Sequence, residues 1–121
     1  MRSVLIVDDN RNIRILLRNF FLSSPNHFSV HEAIDGVEAI EKVAALAPDL
    51  IVLEVSMPNL DGIGTARRMR EMKITSPIVF FTSYQIPGSV RESIGVHAVV
   101  PKPDLTELHK QVQLLLTFRQ I

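Results

Sequence analysis

Apolar and polar positions along this chain repeat with two different periods, and the two alternate. Val4-Leu5-Ile6-Val7 is a continuous apolar run rich in β-branched residues, which predicts a buried strand. Ile13, Leu16, Leu17, Phe20 and Phe21 then recur at helical spacing, with Arg11, Arg14, Arg18 and Asn19 between them. That predicts an amphipathic helix whose arginines form its solvated face, stopped by Ser23-Ser24-Pro25-Asn26. Phe28 to Ala33 largely alternates apolar and polar, as an edge strand does. Asp35-Gly36 turns the chain into a second helix striped by Val37, Ile40, Val43, Ala44 and Ala47, which Pro48 ends.

Leu50-Ile51-Val52-Leu53 is the second continuous apolar run, suited to a strand buried on both faces. It breaks at Glu54, and Met57-Pro58 and Asp61-Gly62 follow as turn signals. A third helix is predicted from Ile63 to Lys73, with Ile63, Ala66, Met69 and Met72 inward and Arg67, Arg68, Arg70 and Glu71 interleaved. Ile78 to Phe81 is a fourth strand, ending at Thr82-Ser83. Pro87-Gly88-Ser89 opens a short, weak helix that reaches about Ile94 and ends at Gly95. Ala98-Val99-Val100 is a fifth strand, and Pro101-Lys102-Pro103 follows it. Asp104 or Thr106 caps a last helix carrying Leu105, Leu108, Val112, Leu115 and Leu116 on one side.

Strands and helices alternating five times predict an α/β fold, a doubly wound parallel sheet with helices on both faces. In such a sheet every strand ends along the same edge, where open α/β sheets place their ligands. Asp8, Asp9, Glu54, Thr82 and Lys102 all stand at predicted strand ends, so this topology lets them converge.

Composition narrows what that edge can be. A chain of 121 residues predicts one domain, and 46% hydrophobic residues supply a sizeable core. Thirteen basic and thirteen acidic residues give no net charge, which argues against direct binding of nucleic acid or of a membrane surface. Cysteine is absent, so a disulfide framework and a thiolate metal site are both excluded. His27 and His31 accordingly read as surface histidines. The apolar runs are too short to span a membrane, and Met1-Arg2-Ser3 leads straight into the first strand rather than into a signal peptide. A cytoplasmic protein is the expectation.

Asp8-Asp9-Asn10 follows the first strand, and one of the three is needed to cap the next helix. At least one acid is left over. Three carboxylates gathered at one edge are costly unless a cation is shared between them. Hard oxygen ligands favour Mg²⁺, which commonly takes one or two carboxylates plus water. Lys102 is restrained by prolines on both sides, so its ammonium suits a fixed cation. With Thr82 it could hold phosphoryl oxygens beside such a metal. No glycine-rich phosphate loop occurs, which disfavours a nucleotide cofactor.

Val4 through Asp9, Asp49 through Glu54, Met57-Pro58-Asn59-Leu60-Asp61-Gly62, Phe80-Phe81-Thr82-Ser83 and Lys102-Pro103 together resemble a response-regulator receiver domain of two-component signalling. The resemblance covers essentially the whole chain, as a single domain over 1–121 without an output domain. It implies a flavodoxin-like sheet of strand order 2-1-3-4-5. It also implies Asp8 and Asp9 as acids of a Mg²⁺ site, Asp9 the more direct ligand, with Glu54 and the Ser56 backbone carbonyl beside them. Thr82 would be the switch hydroxyl and Lys102 the phosphoryl-binding lysine, followed by a cis peptide to Pro103. The implied partners are a histidine kinase or phosphotransfer protein as donor, an unidentified downstream protein or output domain, and a homodimer through the last helices.

Two positions depart from the family. Its phosphoacceptor is aspartate, and here that position is Glu54, whose extra methylene shifts the carboxylate by about one bond length, roughly 1.5 Å. In-line transfer is sensitive to displacements of that size, so position 54 is expected to be phosphorylated poorly. Glu54 then either mimics the phosphorylated state, reaching toward Lys102 or Thr82, or belongs to a domain that signals by binding alone. Val99 stands where many members carry an aromatic switch residue, so Tyr84 or the segment from Tyr84 to Ile94 is expected to substitute. A Mg²⁺-dependent phosphohydrolase is disfavoured, because no insert or cap is present to build a substrate pocket, and the chain is not expected to be an enzyme.

Overall fold

The computed structural model describes residues 1–119 of the chain. Five strands alternate with five helices: β1 (Arg2–Val7), α1 (Arg11–Leu22), β2 (Phe28–Ala33), α2 (Gly36–Leu46), β3 (Leu50–Leu53), α3 (Gly62–Glu71), β4 (Ile78–Thr82), α4 (Gly88–Ile94), β5 (Ala98–Pro101) and α5 (Leu105–Arg119). All strand pairs are parallel, in the order β2-β1-β3-β4-β5. The predicted fold class and strand order are both observed.

The period-two geometry of the strands divides the core in two. Val4, Ile6, Leu50, Val52, Val79, Phe81 and Val100 face α1 and α5, where they meet Leu17, Phe21, Leu108 and Val112. Leu5, Val7, Ile51, Leu53, Ile78 and Phe80 face the other side, against Ala39 and Val43 of α2, Ala66 and Met69 of α3 and Ile94 of α4. The two continuous apolar runs are therefore buried on both faces, as parallel strands require. β2 is an edge strand, with Phe28 and Ala33 buried and the four residues between them partly exposed.

Element boundaries shift where caps intervene. The first helix is capped by Asn10, whose side chain accepts from the Ile13 N–H, and the last by Asp104, which accepts from the Glu107 N–H. That choice leaves both Asp8 and Asp9 free of capping duty. Asp61, anticipated only as a turn residue, caps α3 through the Gly64 N–H and starts that helix one residue earlier than predicted. α3 also stops at Glu71, and Lys73, predicted helical, takes a left-handed backbone with φ of 65°. The three arginines of α1 are not one solvated face. Arg14 and Arg18 both pair with Glu32 of the edge strand, at 3.3 and 3.0 Å, and the Arg14 side chain is only 15% exposed.

Candidate functional site

Register brings the strand ends level. Val7 pairs with Leu53, Leu53 with Phe80, and Thr82 with Pro101. The ladder then runs one residue further: the Glu54 N–H donates to the Val7 carbonyl at 3.0 Å and the Lys102 N–H to the Thr82 carbonyl at 3.1 Å. Asp8, Glu54 and Lys102 thus each stand one residue beyond a strand whose end is fixed by its neighbours.

Their side chains meet. The Lys102 ammonium lies 2.8 Å from Asp8 Oδ2 and 2.7 Å from Glu54 Oε1. Asp8 Oδ1 accepts from the Asn10 N–H at 2.9 Å, and Glu54 Oε2 accepts from the N–H of Val55 at 2.5 Å. Every carboxylate oxygen of these two acids therefore has a donor. Both acids are buried, Asp8 at 1% and Glu54 at 6% exposure. Two buried carboxylates would repel one another, and the ammonium between them offsets much of that cost. The lysine peptide that carries it to Pro103 is cis, as the resemblance implies.

Burial pushes the Asp8 carboxyl above the ordinary aspartate range, and the hydrogen bond from Lys102 only limits the rise. Charging Asp8 therefore costs the folded state something. Burial alone would lower the Lys102 ammonium, yet the hydrogen bonds to Asp8 and Glu54 outweigh it and hold its pKa above that of a free lysine. The lysine is a fixed cation, in keeping with its place between two prolines.

The remaining candidates stand nearby without joining this cluster. Thr82 is buried, and its Oγ1 accepts from the Tyr84 N–H at 3.2 Å, within its own turn. Asp9 and Ser56 are exposed, and so is Tyr84. Among the described residues no three His, Cys, Asp or Glu side chains are grouped around a common metal position. The chemistry of the donors still suits a divalent ion that takes one or two carboxylates plus water: Asp8, Asp9, Glu54 and the Ser56 carbonyl are all hard oxygens, and Lys102 offsets only the charges of Asp8 and Glu54.

Sequence reasoning missed what seats the loop between Glu54 and α3. A Cβ on Gly62 would lie 2.1 Å from the Glu54 carbonyl oxygen and 2.7 Å from Val55 Cα, so only glycine lets α3 start against the end of β3. The Gly62 N–H donates to the Val55 carbonyl at 2.7 Å across that contact. The signal was present in Asp61-Gly62, but a turn pair does not reveal which backbone it abuts.

The response regulator receiver domain model matches residues 4–113. The Response regulator MprA of Mycobacterium leprae is 40% identical over 119 residues, covering 93% of this chain and 50% of that protein. A protein-glutamate methylesterase/protein-glutamine glutaminase of Nocardioides is 36% identical over 104 residues, covering 83% of this chain and 28% of the relative. The chain thus spans half or less of the length of these curated relatives. Among solved structures, the response regulator domain of Thermotoga maritima CheB superposes with a TM-score of 0.78 at 31% identity, covering 99% of this chain and 95% of that one. Vibrio cholerae chemotaxis protein CheY4 superposes with a TM-score of 0.85 at 27% identity, covering 95% and 98%.

Proposed function

The chain belongs to the response-regulator receiver domains of two-component signalling, and on that premise we propose that it is a receiver whose phosphoacceptor position is held shut by Glu54. One observation carries this reading: both oxygens of the Glu54 carboxylate are engaged, one by the Lys102 ammonium and the other by the Val55 N–H. In a receiver of this kind a phosphohistidine donor gives up its N–P bond while a carboxylate oxygen forms the new O–P bond. Lys102 would neutralise a phosphoryl oxygen as the group arrives. Here the longer side chain delivers its own negative oxygen to that ammonium. Glu54 is then both a poor nucleophile by placement and an internal stand-in for the phosphoryl charge.

The donor would be a histidine kinase or phosphotransfer protein, as the family implies. The ion would be Mg²⁺, which supplies charge neutralisation for the transferring group when bound. Asp8, Asp9 and the Ser56 carbonyl are the residues of this chain that would hold it. Thr82 would turn its buried hydroxyl toward the phosphoryl group, giving up its bond with the Tyr84 N–H.

A second reading, a receiver fold that signals by binding without phosphorylation, draws support from the same cluster. Asp8 and Glu54 each find protein donors for both oxygens, Lys102 for one and the Asn10 or Val55 N–H for the other. Intact mass after incubation with acetyl phosphate and Mg²⁺ separates the two. The proposal expects a phosphoryl adduct on Glu54→Asp and none on the parent chain. An adduct on the parent chain overturns it, and no adduct on either shifts support to the binding module.

A further inference from the structure

The loop from Ser56 to Asp61 borders the acid cluster, and its far side is tied to a turn more than twenty residues earlier in the chain. Asp35 caps α2, its Oδ1 accepting from the Glu38 N–H at 2.8 Å. Its second oxygen, Oδ2, accepts from Asn59 Nδ2 at 3.1 Å. The Glu38 N–H and the Asn59 amide together hold the Asp35 carboxyl below the ordinary range, so it remains a charged acceptor. Asn59 itself has φ of 70°, a left-handed backbone that asparagine tolerates better than most residues.

A second contact lies beside this bridge. A Cβ on Gly36 would fall 2.7 Å from the Leu60 carbonyl oxygen and 2.0 Å from Thr65 Oγ1. The Thr65 hydroxyl is itself committed, donating to the Asp61 carbonyl at 2.7 Å. The turn before α2 therefore presses its backbone against the loop at Leu60 while Asp35 holds the side chain of Asn59. Gly62 clamps the other end of the loop beneath Glu54 and Val55. Between those two clamps lies the stretch that carries Ser56.

We infer that Asp35 and Asn59 are positioning residues for the ion site, fixing the loop that presents the Ser56 carbonyl. This rests on the reading above, in which that carbonyl is one of the oxygens toward Mg²⁺. Neither side chain touches the ion. They act through the backbone between Asn59 and Ser56, in the way that residues supporting a ligand commonly set metal affinity.

The test uses Asn59→Gly and Asp35→Ser. Glycine accepts the positive φ and removes only the amide, and serine keeps a helix cap while losing the second oxygen. Mg²⁺ alone is titrated into the full chain and followed through the amide resonances of Asp8, Asp9 and Ser56, with thermal unfolding measured in parallel. The expected result is Mg²⁺ affinity weakened by about tenfold in both variants, with unfolding midpoints that fall too little to explain it. Unchanged Mg²⁺ affinity in either variant, beside a parent chain that binds the ion, overturns the inference alone. A parent chain whose resonances do not respond to Mg²⁺ overturns the metal reading, and the inference falls with it.

Discussion

The molecule holds a cation at each edge of its sheet, and the two are used differently. Lys102, at the edge where the strands end, spends its ammonium on two carboxylates. Arg70, at the edge where strands begin, spends its guanidinium on main-chain carbonyls: Ile74 at 2.8 Å and Ser76, Ile94 and Gly95 each at 3.0 Å. Arg70 pins the end of α4 and the loop entering β4 to the end of α3. Carbonyl oxygens at the ends of fixed elements neither titrate nor leave, so that junction is built for permanence. A carboxylate can exchange one cation for another, and an ammonium can exchange a carboxylate for another anionic oxygen. The difference sets Lys102, in the candidate site, apart from Arg70, which ties the frame together.

The largest effect is expected where the frame is cut. Arg70→Met leaves several partly buried carbonyls without donors and should destabilise the chain by about 3 kcal/mol in urea unfolding. Arg70→Lys should recover only part of that, because an ammonium cannot match the planar fork of donors. Full rescue by lysine would erase the distinction between the two cations. Lys102→Met comes next. It leaves Asp8 and Glu54 facing one another and should cost about 2 kcal/mol near neutral pH, softened because the cluster lies at the open edge of the sheet. The loss should shrink in acid, where the Asp8 carboxyl, raised by burial, takes up its proton, and a loss independent of pH would contradict the charge account.

The smallest effect belongs to His97, which lines a cavity beside Arg70 together with Thr75, Pro77 and Leu115. Among the described residues its Nε2 is buried without a hydrogen-bond partner, and burial together with the neighbouring charge of Arg91 outweighs the opposing contact with Gln111 and holds the ring below the ordinary histidine pKa. A depressed histidine means that the unfolded chain binds the proton more readily. Its contribution is therefore present above the ordinary value, about 6.5, and is lost as pH falls through the folded value. Unfolding followed from pH 7.5 to 5 should show a decline that His97→Gln flattens. An equal decline in both would assign the acid sensitivity elsewhere.

The sheet was legible because its information is local. Continuous apolar runs at Val4–Val7 and Leu50–Leu53, separated by helical stripes, leave few topologies once right-handed crossovers are required. The convergence of Asp8, Glu54 and Lys102 followed from the same topology, since parallel strands end together. What stayed hidden were contacts between loops. Arg70 reads in sequence like Arg67 and Arg68, an arginine between apolar positions of a helix, and only the arrival of Ile94 and Gly95 makes it a frame residue. The bridge from Asp35 to Asn59 was equally silent, because each residue looks complete as a local turn element. Arg14 was misjudged for the same reason: its partner Glu32 lies on a strand that sequence spacing does not bring near.

The central claim is that Glu54 holds the lysine a phosphoryl group would need. A double-mutant cycle over Glu54→Gln and Lys102→Met, read by urea unfolding at neutral pH, measures that hold directly. The account predicts that the two changes are strongly non-additive, with a coupling of about 1–2 kcal/mol between charges in direct contact. Additive effects, within about 0.5 kcal/mol, would mean that Lys102 answers to Asp8 alone and that Glu54 does not stand in for the phosphoryl charge.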